Sequence, residues 1–261
     1  MFTSNPFAEL SATLSPSVMQ TYIVVMIILV AAGTIYDVLH KKSAKYFREN
    51  MRKSKAQATQ KVGGGEMVSM AIKTAVVDVA ASGEFCNPRR RIAHLLTMYG
   101  FLAFAISTTI MIFQYPTAAT PTPAILPQLW WIGGLMVCLG GYWFWFFIRV
   151  DVAAEGSSPF RIMRADLFVL SLLGSATFGL VWGYLQATGN AWAMAAFGLH
   201  VISTTVLFGS VPWSKFAHMF FKPAAAFEKR VSAANGSRSN LPAPADRPAT
   251  FGTTTQQPRH Y

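Results

Sequence analysis

The chain has 261 residues, of which 52% are apolar and only 13% are charged, and its mean hydropathy is +0.36. Soluble domains carry about 25% charged residues, so this composition excludes an ordinary soluble domain and indicates a membrane protein. The net charge of +11 does not indicate nucleic-acid binding, because all 22 Lys and Arg lie outside the apolar runs, in residues 41–91, 149–164 and 215–259.

The N-terminal segment, residues 1–20, contains Glu9 but no Lys or Arg. It therefore lacks the basic region of a secretory signal peptide, and we expect the first apolar run to be kept as a helix. Apolar runs of about 20 residues are long enough to cross a bilayer. They predict an all-α membrane protein whose five transmembrane helices cover residues 21–39, 92–113, 129–148, 165–185 and 191–211.

The distribution of basic residues predicts the orientation of these helices. Alternate threading puts residues 1–20, 114–128 and 186–190 on one side, and these contain no Lys or Arg. Basic loops stay in the cytoplasm, so the N-terminus is predicted outside and the C-terminus inside. The predicted organisation is a periplasmic N-terminus (1–20), a membrane domain (21–220) with a cytoplasmic loop (40–91), and a basic, largely disordered tail (221–261). Within the loop, residues 66–81 predict a short buried or interfacial helix.

Three histidines are placed where they could serve a cofactor. His94 follows three arginines at the start of the second span, and His218 follows the last span on the same side. Two such imidazoles can ligate a haem iron from opposite faces, with Arg90, Arg91 and Lys215 near the propionates. The residues alone leave equally open that both are boundary histidines without a ligand.

His200 lies inside the fifth predicted span, where an ionisable side chain is a candidate functional residue. It precedes His218 by 18 residues, which is roughly 27 Å of helix. One cofactor therefore cannot be shared by these two histidines.

The segment 198–218 resembles the last helix of the nitrate reductase gamma-subunit family of dihaem b-type cytochromes. The matching features are His200 early in the helix and the motif Pro-aromatic-Ser-basic-x-x-His from Pro212 to His218. The start of the second span, residues 91–101, is similar to membrane subunits of sulfur-metabolism and heterodisulfide-reductase-like complexes. These motifs cover two of five helices, whereas the topology covers almost the whole chain.

This resemblance implies one haem b held by His94 and His218 on the cytoplasmic side. A second haem would pair His200 with another histidine about three turns into the second helix, but Phe104 stands in that region and residues 99–108 contain no histidine. The second haem is therefore doubtful. Met98 and Met111 are candidate thioether ligands, although such side chains more often pack in a core.

The resemblance implies an electron-transfer subunit of the bacterial inner membrane that links a soluble cytoplasmic iron–sulfur or flavin oxidoreductase to quinone. The incomplete haem ligation is similar to that of membrane anchors associated with adenylylsulfate reductase in sulfur oxidisers. No catalytic residues are expected in the chain itself, and its other partner is membrane lipid. The alternative is a haem-free anchor. A transporter is disfavoured, because a transport path needs charged side chains inside the membrane. The charged residues nearest the spans, Asp37, Arg149 and Asp166, all lie at cytoplasmic helix ends.

Overall fold

The fold is all-helical in the part of the chain that the structure, a computed structural model, describes: residues 2–40, 42–83, 85, 87–149, 160, 162–163, 166–213 and 218–237. The helices are α1 (Pro6–Leu10), α2 (Pro16–His40), α3 (Ser43–Ala56), α4 (Gly64–Lys73), α5 (Pro88–Gln114), α6 (Ile125–Trp143), α7 (Leu167–Ala187), α8 (Ala193–Gly209) and α9 (His218–Ala234). Two of these helices continue into π-helical turns, α4 over Thr74–Ala80 and α6 over Phe144–Ile148.

Four helices within the described residues are long and apolar enough to cross a membrane: α2, α5, α6 with its continuation, and α7. The multi-pass membrane protein expected from the sequence is thereby confirmed. The helix at the fifth predicted span, α8, is apolar but has only 17 residues. That length is at the lower limit for a crossing, so the fifth span and the orientation stay predictions.

The α5–α6 pair is joined by backbone-to-backbone contact at glycines. A Cβ atom on Gly133 would lie 2.6 Å from the Phe104 nitrogen, and one on Gly140 would lie 2.6 Å from the Ala93 oxygen. These contacts place the start of α5 beside the end of α6, so the two helices are antiparallel. Small residues permit such close approach, which is a common basis of helix association in membranes.

The α7–α8 pair forms a hairpin through a turn in which Gly189 has a φ of 66°. Two hydroxyl groups in its interface, Ser175 Oγ and Thr204 Oγ1, lie 2.7 Å apart and form a hydrogen bond. At the basic end of the bundle, Arg149 donates its Nε–H to Asp166 Oδ1 at 2.8 Å and so connects the ends of α6 and α7.

The short helix α1 closes the end of the bundle that lacks basic residues. Asn5 caps α1 by accepting from the Phe7 and Ala8 amides, and its side-chain amide donates to Tyr115 O at 2.9 Å. Gln186 at the end of α7 donates to Pro6 O at 2.7 Å. The segment predicted as an external N-terminus therefore includes a helix packed into the membrane domain, and α2 begins at Pro16 rather than at residue 21.

A layer formed by α3, α4 and α9 covers the basic end of the bundle. Arg230 on α9 makes a two-pronged ion pair with Asp78, with Nε 2.9 Å from Oδ2 and Nη2 2.8 Å from Oδ1. The Thr59 amide donates to Asn235 O at 2.9 Å. The helix expected within residues 66–81 is confirmed, whereas α9 was not predicted, and residues 238–261 of the predicted tail lie outside the described part.

Candidate functional site

His200 lies in the middle of α8, and its ring is buried among aromatic side chains. Its Nδ1 is 2.8 Å from Ser175 O on α7. Because a carbonyl oxygen can only accept, Nδ1 carries the hydrogen, and in the neutral ring the lone pair is on Nε2. This hydrogen bond fixes the tautomer and makes Nε2 the nitrogen with which His200 can meet a ligand.

The aromatic rings around His200 come from three helices. Trp182 is nearly parallel to the imidazole, at 13° with centroids 6.2 Å apart, and Phe104 presents an edge-to-face ring at 6.1 Å. Gly179 leaves room for both, since a Cβ there would lie 3.0 Å from Phe104 Cζ and 3.1 Å from His200 Nδ1. Phe104 therefore lies against His200, in the region where the sequence analysis looked for a second haem ligand.

His200 also lines a cavity of about 750 Å³ inside the membrane domain. The cavity is bounded by α2 on one side and by α5, α6, α7 and α8 on the other. Most of its lining is apolar, and its size falls in the range of small-molecule sites, roughly 300–1,000 Å³. Its polar side chains are those of His200, Tyr22, Thr34, Thr108, Thr109, Ser175 and Thr204.

Helix α2 forms the outer wall of this cavity and contacts both α8 and the turn that follows it. The Tyr22 hydroxyl donates to Val201 O at 3.2 Å and lies 3.0 Å from Thr205 Oγ1. Further along α2, a Cβ atom added to Gly33 would lie 3.0 Å from Val211 Cβ. Directly after Gly33, the buried Thr34 hydroxyl on the lining has no hydrogen-bond partner among the described residues. Such an orphaned polar atom is consistent with a ligand that completes the site.

The second candidate region surrounds His94 at the basic end of α5. Ser82 Oγ lies 3.0 Å from His94 Nδ1, and the Phe85 ring packs at 4.8 Å between centroids. An iron ligand from this ring would therefore be Nε2, with Nδ1 held by Ser82 as the second partner that metal-binding imidazoles usually have.

The arginines beside His94 contact the protein's own groups. Arg91 donates its Nε–H to Ala81 O at 2.8 Å, and the Arg90 guanidinium lies 5.9 Å from the centroid of the Phe144 ring. Both lie near His94 as the sequence predicts, and Arg91 also fixes the chain that covers it.

The structure describes only part of the segment that contains His218, the predicted partner of His94. His218 begins α9, but its side chain is not described, and Lys215 lies in residues 214–217, outside the described residues. One turn after His218, the Lys222 ammonium is 5.7 Å from the centroid of Phe85, which packs on His94. The first turns of α9 therefore lie beside the His94 region.

Other side chains of these two regions were not found from the sequence. Ser82, Phe85, Ser175 and Trp182 are common residue types without a motif, and only the packing of helices assigns them a role. Met111, one of the candidate thioether ligands, is fully buried in the apolar core. Within the described residues, no group of three or more His, Cys, Asp or Glu could hold a metal ion.

Comparisons with known proteins give one distant relative. This chain is 25% identical to citrate utilization protein B from Escherichia coli over 165 residues, which are 62% of the chain. The match spans only 42% of that protein's length. No family model and no solved structure matches the chain. The resemblance to nitrate reductase gamma subunits and to heterodisulfide-reductase-like subunits is not confirmed by these comparisons.

Proposed function

We propose that this chain is a membrane electron-transfer subunit that exchanges electrons between a soluble oxidoreductase and membrane quinone. The observation that carries the proposal is the buried His200, whose tautomer is fixed by Ser175 at the wall of an apolar cavity of about 750 Å³. A quinone needs an apolar site with few polar groups, because its tail is hydrocarbon and only its ring oxygens form hydrogen bonds.

The chemistry of His200 suits both oxidation states of such a carrier. The Nε2 lone pair accepts a hydrogen bond from a quinol hydroxyl, and after taking up a proton the same nitrogen donates to a quinone carbonyl. When a quinol is oxidised, His200 would also be the first acceptor of the proton that the quinol releases. The proposal does not depend on the direction of electron flow.

The basic end of the bundle is the proposed docking face for the soluble partner, an iron–sulfur or flavin enzyme. Helix α3 carries Lys45, Arg48, Arg52, Lys53 and Lys55. A positive surface of this kind attracts an acidic protein and also anionic lipid. In the proposed orientation this face is in the cytoplasm of a bacterial inner membrane, and α8 is a fifth span. Adenylylsulfate reductase, a sulfur-metabolism enzyme, is the proposed soluble partner carried over from the sequence resemblance.

Haem b, where it is bound, would lie between His94 and His218 and would carry single electrons between the soluble partner and the quinone. Ser82 and Phe85 orient the His94 ring for this role, and two imidazoles are a fitting donor set. At His200 the described residues offer an aromatic ring, Phe104, and not a second imidazole. We therefore propose at most one bis-histidine haem per chain.

The test is the absorption spectrum of the purified protein reduced with dithionite. A b-type spectrum that disappears in His94→Ala and in His218→Ala but persists in His200→Ala supports the assignment. A spectrum that survives the first two substitutions and disappears with His200 would reverse it.

The second candidate function is a haem-free membrane anchor for the same enzyme. The packing of Phe104 against His200 favours it, because this contact fills the region of a second axial ligand. Absence of any haem spectrum in the unmodified protein would decide for the anchor.

A further inference from the structure

The helix formed by α4 and its π-helical continuation, Gly64–Ala80, has two different faces. Thr74 is buried, Asp78 is bound by Arg230 of α9, and Met67 and Met70 are half-buried. The other face carries apolar side chains that are largely exposed: Val68 (60%), Ile72 (60%) and Val76 (58%). Asp78 and Val76 are two residues apart, so they lie on nearly opposite sides of the helix.

The depth of this helix is set by hydrogen bonds between its C-terminal end and α5. Tyr99 on α5 donates its hydroxyl hydrogen to Ala80 O at 2.8 Å, and Arg91 donates to Ala81 O at 2.8 Å. Ser82 Oγ lies 3.0 Å from His94 Nδ1. The end of the helix is therefore held beside the residues between Arg91 and Tyr99.

These residues are the beginning of the membrane-crossing part of α5. Tyr99 lies eight residues beyond Arg91, or about 12 Å along the helix axis, and helix side chains lean toward the N-terminus. Ala80 is thus at the level where the basic residues of α5 give way to apolar ones. In a bilayer this is the boundary between headgroups and acyl chains, where amphipathic helices bury their apolar face about 5–10 Å deep.

We propose that the face of Val68, Ile72 and Val76 is inserted into the acyl chains of the leaflet on the basic side of the membrane. Its occupant is lipid rather than a protein, because α5 holds the C-terminal end of the helix at the boundary between headgroups and acyl chains while α9 already covers its polar face. Lys61, just before the helix, and Lys73, near its middle, are both exposed, and their ammonium groups can reach lipid phosphates.

The test is the accessibility of spin labels in the full-length protein reconstituted into phosphatidylcholine–phosphatidylglycerol vesicles. Single cysteines are introduced as Val68→Cys, Ile72→Cys and Val76→Cys in a background in which Cys86 and Cys138 are replaced by serine. Lys55→Cys, on the exposed polar surface of α3, is the matched control. Three separate sites keep the test valid if one variant does not fold.

We expect labels at Val68, Ile72 and Val76 to be reached by oxygen, which dissolves in lipid, severalfold better than by a water-soluble nickel chelate. The order should be reversed at Lys55. A label at Ile72 or Val76 that is reached mainly by the nickel chelate overturns the proposal. In that case, loss of nickel access on addition of a soluble protein would identify this face as a protein-docking surface.

Discussion

The Phe104 ring and the His200 imidazole are nearly perpendicular, at 81° with 6.1 Å between ring centroids, and the two residues come from different helices, α5 and α8. This contact explains how an ionisable side chain is accommodated deep in an apolar bundle. Its ring is surrounded by aromatic side chains, and its one hydrogen-bonded nitrogen meets a backbone carbonyl. The other nitrogen, Nε2, is the one with which His200 can bind a ligand.

Substitution of His200 by Asn separates its structural role from its proposed ligand role. The Asn amide nitrogen takes the place of Nδ1 and can still donate to Ser175 O, but no atom replaces Nε2. We expect a modest loss of stability, because the smaller side chain leaves a gap among the aromatic rings, and a loss of up to about tenfold in quinol affinity, since one hydrogen bond contributes roughly 1 kcal/mol. Quinol titration of the reconstituted protein measures this, and unchanged affinity would remove His200 from the site.

Substitution of Gly133 by Val should separate α5 from α6. The first added carbon would lie 2.6 Å from the Phe104 nitrogen, and backbone cannot move aside as a flexible side chain can. We expect a loss of more than about 2 kcal/mol in the free energy of unfolding, measured by titration with SDS.

Gly198→Ala is the matched control for Gly133→Val. A Cβ at Gly198 meets nothing within 4 Å, although this glycine too lies in an apolar helix, α8. The control should leave stability unchanged or raise it by up to about 1 kcal/mol through helix propensity. Equal losses in both variants would show that close packing at Gly133 is not the cause.

The number of spans can be counted with two reporter fusions. One reporter is inserted into the turn at residues 188–190, and the other follows Gly236 at the end of α9. If α8 crosses the membrane, the first reporter is outside and the second is in the cytoplasm. Reporters found on the same side would show that the 17 residues of α8 do not cross.

The ion pair between Asp78 and Arg230 should be replaceable by its reverse. Asp78→Arg and Arg230→Asp each put like charges together, and we expect trypsin to cleave within α9 faster in both single variants. The double variant restores opposite charges and should recover most of the protection. The pair is partly exposed, so the expected coupling is about 1 kcal/mol. Additive effects in the double variant would mean that the pair does not hold α9.

The long apolar runs and the glycine turn at Gly189 were sufficient to predict where most helices lie. The same uniform hydrophobicity gave no information on which face of each helix points inward, because lipid and core are equally apolar. The cavity, the wall formed by α2 and the role of Ser175 therefore could not be predicted. The resemblance to dihaem cytochromes did imply that Phe104 lies near the level of His200, about three turns beyond His94.

The two ends of the chain were predicted less well. Helix α1 is five residues long and depends on the Asn5 cap and on contacts with α5 and α7. Helix α9 contains Pro223, and its five large apolar residues do not form a continuous run, so its sequence alone gives no clear helix pattern. Both helices are stabilised by partners distant in sequence, which local patterns do not report.

The residues that join α9 to the segment before α5 impose an order on biosynthesis. Asp78 is synthesised 152 residues before Arg230, and the separation between Thr59 and Asn235 is longer still. The layer on the basic end can close only after every membrane helix has been made. If a soluble enzyme docks on this closed layer as proposed, it would bind finished chains and not nascent or truncated ones.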